Sequence, residues 1–202
     1  MKAVKAVSYA GIAHAVAKRT CPVCNALKDF QSVLIETAQA QEARHLCNYH
    51  GWLLAKSAQA DVAGEVFRNL LHQWRQANTV AASRCDFCEH IRSEEQAALA
   101  ELAQQFENPS VAELMQERGT ICLAHGRELS SQLPAHLQAI LARIIARAAH
   151  DLDQELRTFV TNAHTGEHTG GGILGHAAEF LFSQRGIPRE EAPCSNRDWQ
   201  RK

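Results

Sequence analysis

The chain has no long apolar run. None of its 202 residues falls in a stretch near the roughly 18 apolar positions a bilayer-spanning helix needs, which argues against a membrane protein. Behind Met1-Lys2-Ala3-Val4-Lys5 the sequence also lacks the continuous apolar segment of a secretory signal. A cytoplasmic protein is expected, in a compartment that keeps thiols reduced. Net charge is missing too: 21 basic and 22 acidic residues leave −1. No global field therefore draws the chain to nucleic acid or to an anionic membrane. The 11 histidines are scattered and form no basic face. No segment of four or more residues alternates apolar and polar with β-branched enrichment, so no sheet is expected.

What the sequence does have is helical periodicity, and the fold class expected is all-α. Apolar residues recur at helical spacing in Phe30, Val33, Leu34 and Thr37, and in Val62, Val66, Leu70 and Trp74. A third run is Ile91, Ala98, Leu99, Leu102 and Phe106. The longest is Leu137, Leu141, Ile144, Ala148, Leu152, Leu156 and Phe159. Asn108 before Pro109 is a helix start, Gly119 a stop, and Pro134 can open the long helix. A break with four glycines follows from Thr165 to Gly172, then a last helix from about Leu174 to Arg185, ended by Gly186. Trp52, Trp74 and Phe67 read as core; His14, His45, His72, His90 and His136, with Arg143 and Arg147, read as surface.

Seven cysteines in a reducing compartment read as ligands or catalysts before disulfides. Six of them repeat in order. Cys21-Pro22-Val23-Cys24 falls on Cys85-Asp86-Phe87-Cys88, and Cys47-Asn48-Tyr49-His50-Gly51 on Cys122-Leu123-Ala124-His125-Gly126. The second copy is longer by a short helix around Ser110 to Glu117. The duplication predicts a metal-pinned region over 1–133, with repeat one at about 14–76 and repeat two at about 79–133. A long helix, Gly-rich loop and final helix then pack over 134–188, and 189–202 is a polar tail holding Cys194.

Tetrahedral zinc, with Zn–S near ~2.3 Å, needs four ligands about 3.7 Å apart. A tight turn brings the two cysteines of Cys-x-x-Cys to that distance. Cys-x-x-His at i and i+3 does so on the first turn of a helix, where unsatisfied N–H groups favour the thiolates. Two Cys3His sites follow, from Cys21, Cys24, Cys47, His50, Cys85, Cys88, Cys122 and His125. Closing each site within its own copy is favoured over pairing across copies, since a longer loop costs more entropy. A helical hairpin in each copy, from Ala26 to Arg44 in the first, would be pinned at its open end.

Two structural zincs per chain are expected. An iron–sulfur centre for electron transfer or sensing uses the same soft ligands. A zinc–thiolate redox switch is a further reading. A thioredoxin-type dithiol would need a βαβ pattern, which is absent. His164-Thr165-Gly166-Glu167-His168 matches an inverted zinc-protease motif, but glycines weaken the helix that chemistry needs. Gly170-Gly171-Gly172-Ile173-Leu174-Gly175 matches a dinucleotide fingerprint with no strand before it.

The duplicated Cys-x-x-Cys … Cys-x-x-His-Gly pattern, with the long helix ending Leu156-Arg157-Thr158-Phe159-Val160, resembles an uncharacterised bacterial all-helical family, a domain of unknown function, over about residues 14–188. The resemblance implies the fold and the eight ligands. That family's Lys-His-Asp-Tyr-Arg-like run is represented here only by Asn162-Ala163-His164, so no shared reaction is implied. No nucleophile, base or open coordination position stands out beside the sites. The expected role is therefore a scaffold, adaptor or assembly partner for other proteins, rather than an enzyme.

Overall fold

The structure is a computed structural model that describes residues 7–36, 45–77, 84–165 and 172–183. Within them lie nine helices and no strand, as the absence of period-two alternation requires. In order they are α1 (Tyr9–Ala17), α2 (Pro22–Glu36), α3 (Asn48–Ser57), α4 (Ala60–Ala77), α5 (Asp86–Phe106), α6 (Pro109–Arg118), α7 (Leu123–Gln132), α8 (Ala135–Thr165) and α9 (Gly172–Phe182). No helix among the described residues is long and apolar enough to cross a membrane.

Local chemistry sets the helix boundaries. Ser8 caps α1 by accepting from the Gly11 N–H, and Asn108 caps α6 by accepting from Ser110, with Pro109 next. Gly119 ends α6 with its N–H on the Met115 carbonyl. Pro134 stands just before α8, and its carbonyl takes the Leu137 and Gln138 N–H groups. α9 differs from its expected extent: it starts at Gly172 and ends before Ser183, which takes a left-handed φ of 63°. The Gly-rich break at 166–171, with Glu167 and His168 of the protease-like motif, lies outside the described residues, as do Gly186 and Cys194.

The chain divides into two compact units that do not follow the two repeats. The described residues of the first fall within Met1–Lys28 and Glu95–Gly186, and those of the second within Asp29–Glu94. The first unit is organised by α8, which packs on α6, α7 and α9, while α6 also packs on α1. The stripe on α8 predicted from periodicity is buried at Leu137, Leu141, Ile144 and Ala148 and half-buried from Leu152 to Phe159. Ile12, Leu99, Leu102, Phe106, Met115 and Leu129 complete this core. The second unit has a smaller one, with Phe30, Leu54, Ala63, Val66, Phe87 and Ile91 buried.

The expectation of a core role for Trp52 and Trp74 is corrected: they are 57% and 53% exposed. α4 is amphipathic, but only its Ala63 and Val66 are buried against the rest of the chain. At the other end of its stripe Trp74 faces solvent, because periodicity locates an apolar face without saying what covers it.

Candidate metal centre

All four half-motifs are built the same way, as the first turn of a helix. Cys47 and Cys122 are the N-cap residues of α3 and α7, both with extended backbone. Cys21 and Cys85 precede α2 and α5, and their carbonyls accept the Asn25 and Glu89 N–H groups. The second ligand of each half-motif stands three positions later, so both side chains share the helix's open end, as partners in a capping box do. The tight turn expected between the cysteines of each Cys-x-x-Cys is the first turn of a helix. Pro22 sits at the first helical position, where its missing N–H leaves no orphan, and Asp86 holds the equivalent place.

The helix ends meet in pairs, but the pairing is not the one expected. Cys21 and Cys24 meet Cys122 and His125; Cys47 and His50 meet Cys85 and Cys88. Each copy supplies its cysteine pair to one cluster and its Cys-x-x-His to the other, so pinning each copy as its own hairpin is corrected. The loop-entropy preference was too small to decide the matter. Lengthening a loop about fourfold costs only about 1.2 kcal/mol. Stiffness matters more: the 15 residues of α2 carry the chain about 22 Å along the helix, and the 21 of α5 about 31 Å.

Geometry in both clusters matches the edges of a small tetrahedron. In the first, His125 Nδ1 lies 3.5, 3.4 and 3.1 Å from the sulfurs of Cys21, Cys24 and Cys122, and the Cys24 and Cys122 sulfurs are 3.8 Å apart. In the second, His50 Nδ1 lies 3.3, 3.4 and 3.3 Å from Cys47, Cys85 and Cys88, and Cys47 to Cys88 is 3.8 Å. A tetrahedral ion with ligands at ~2.1–2.3 Å has edges of roughly 3.5–3.75 Å. The donor atoms therefore surround a space the size of one ion, and either cluster can hold one.

The surroundings of the two clusters differ. All four residues of the first are buried, whereas Cys47 and Cys88 of the second are half-buried. With Nδ1 turned to the sulfurs, His125 donates from Nε2 to Glu95 Oε1 at 2.7 Å, which fixes ring and tautomer. His50 Nε2 is buried with no hydrogen-bond partner among the described residues. The Cys21 N–H donates to Glu179 Oε1 of α9 at 3.1 Å. Near the second cluster, Asp86 grips His45 twice: its carboxylate accepts from the His45 N–H at 2.8 Å, and its own N–H donates to the His45 carbonyl at 3.0 Å. Spacing gave no sign of Glu95 or Glu179; Asp86 could have been suspected as a helix-start carboxylate.

Protonation follows from this crowding. Burial pushes the Cys21 thiol up, but hydrogen bonds with Cys122 and Cys24 and the His125 charge hold it well below its ordinary value. Hydrogen bonds with Cys122 and Cys21, then burial, push Cys24 up. Burial disfavours charge on His125, yet the Cys21 thiolate and hydrogen bonds raise it to about 12. In the second cluster hydrogen bonds with Cys47 and Cys88 lower Cys85 to about 3, while those with Cys47 and Cys85 raise Cys88. Three thiolates cannot crowd together unless protons or a cation neutralise them.

Fold and site together define an all-helical protein with two Cys3His clusters suited to metal ions, each built from two opposed helix N-termini. No family model, curated protein or solved structure matches the chain.

Proposed function

We propose that each Cys3His cluster holds one structural zinc, and that the protein acts in the cytoplasm as a scaffold or interaction module for other proteins. The observation that carries the metal reading is closure: in each cluster the four ligand atoms all lie within 4.8 Å of one another. That spacing favours one ion over an iron–sulfur cluster, whose separate irons hold their protein ligands farther apart. A Zn2+ with three thiolates and a neutral imidazole carries −1, and two helix N-termini favour that charge at each site. The second unit, whose described residues bury few apolar side chains, has the most to gain from a structural ion. A role through contacts is supported by the exposed Trp52, Leu71 and Trp74 of this unit.

Elemental analysis with an optical spectrum, on protein purified anaerobically, tests the reading. Two zincs per chain and no visible absorption are expected; iron with sulfide would overturn it. The contact role is tested by crosslinking in cells of the parent chain and of a Trp52→Ser, Trp74→Ser variant with unchanged zinc content. Loss of a crosslinked protein partner is expected, and identical crosslinks would sink the role assigned to this surface.

A further inference from the structure

In the first unit, three arginines and a histidine from four segments line one cavity of about 60 Å3. Its polar lining is Arg19, Arg118, Thr120, Arg147, Asp151 and His176, and the rest is apolar. The sequence gives no hint of this meeting: Arg19 follows α1, Arg118 ends α6, Arg147 is in mid-α8 and His176 is on α9. Among the groups of fixed charge, three guanidiniums face Asp151 in the lining and Glu155 on Arg19, which leaves +1, in a chain whose formal net charge is −1. Guanidiniums converging from three segments suit the three terminal oxygens of a phosphate better than the two of a carboxylate.

Two features show that the fold keeps these groups in place at a cost. Arg19 has a left-handed φ of 55°. Its N–H bonds to Val16 and that of Thr20 to Ala15, the helix-ending arrangement in which glycine is the usual residue. The chain has arginine there, and its guanidinium is held by Glu155. Arg147 is similarly fixed, by the Gly119 carbonyl and by Asp151. Its Nε is nevertheless buried with no partner among the described residues. Arg118 and His176 are exposed at the cavity and free to swing onto a ligand.

We propose that this cavity binds a phosphate dianion, either free phosphate or the terminal group of a small phosphorylated molecule. Arg19 and Arg147 form its fixed part, and Arg118 and His176 close on the ligand. Arg19 and Thr120 of its lining stand two positions before Cys21 and Cys122 of the first cluster, but its ligand chemistry does not depend on the metal.

Isothermal titration of the full-length, metal-loaded chain tests this with inorganic phosphate, methyl phosphate and acetate as probes. Saturable binding of at least one phosphate species, and none of acetate, is expected. Tighter binding of methyl phosphate assigns a phosphorylated ligand; binding of inorganic phosphate alone assigns the free ion. No binding of either overturns the proposal, as does acetate binding as well as they do. Arg118→Gln and His176→Gln alter exposed side chains and leave the core intact. The first should weaken phosphate about tenfold, as for loss of one charged hydrogen bond; unchanged affinity in both variants overturns the proposal. Arg19→Gly separates function from structure. It should raise the unfolding midpoint by relieving the backbone while weakening phosphate, and a variant that binds like the parent counts against the site.

Discussion

Cys24 and Cys122 stand 98 positions apart in the chain, yet their sulfurs lie 3.8 Å apart at one corner of a four-ligand cluster. The duplicated sequence has thus exchanged its halves. The exchange predicts which double substitutions are redundant. Cys24→Ser with His125→Ala damages one cluster twice and should leave one zinc per chain. Cys24→Ser with His50→Ala damages both and should leave none. Metal counting on the purified variants checks this; the reverse pattern would restore pairing within each copy.

Glu95 holds the imidazole of His125, and no equivalent partner among the described residues holds His50. Loss of such a partner typically weakens a metal site about 10- to 100-fold. Glu95→Gln should therefore weaken one zinc of the two by about that factor and leave the other unchanged. Competition against a chromophoric chelator resolves the two. Equal weakening at both sites, or at neither, would contradict the part given to Glu95.

The sequence revealed much of this and concealed the rest for physical reasons. Capping residues such as Asn108 and the stripe on α8 are local signals, read directly from spacing. The eight cluster residues were legible because each half-motif is also local, one turn of helix. Which halves meet is a long-range matter, set by the lengths of stiff helices and the packing around α8. Loop entropy was too weak a guide to it. Glu95 was hidden likewise: on α5 it is one carboxylate among several, until α7 brings His125 to it. Trp74 shows the converse, an apolar stripe whose end remains open to solvent.

Proton release should accompany zinc binding. Cys24, Cys122 and His125 are all shifted upward, so at neutral pH each holds a proton that zinc must displace. Affinity should therefore rise with pH and fall in acid. A titration in weak buffer with an indicator dye should show acidification on zinc addition. No proton release at the first site, read in a variant lacking the second, would contradict this protonation.

Exposure should decide which site is labile. Cys47 and Cys88 are half-buried with sulfurs 3.8 Å apart, whereas the other cluster is buried throughout. Peroxide reaches exposed thiolates first. One sulfur is oxidised to a sulfenic acid as peroxide is reduced to water, and its neighbour then displaces a second water to form a disulfide. The expected outcome is release of about one zinc in an early phase, with Cys47 and Cys88 joined in the peptide map and zinc regained after reduction. Simultaneous loss of both metals would remove the distinction.

The glycine after each histidine looks equivalent in the repeat but is not equivalent in the fold. A Cβ at Gly51 would meet nothing within 4 Å, whereas one at Gly126 would stand 2.5 Å from Ile145 Cδ1 on α8. Both glycines lie within helices, where alanine is favoured by about 1 kcal/mol. Gly51→Ala should realise that gain as a higher unfolding midpoint. Gly126→Ala must first displace Ile145 and should fall short of the gain or reverse it. Shortening the obstructing side chain discriminates the cause: Ile145→Val added to Gly126→Ala should recover stability relative to Gly126→Ala alone. If it lowers the midpoint further, the close approach of α7 to α8 is not what keeps residue 126 a glycine.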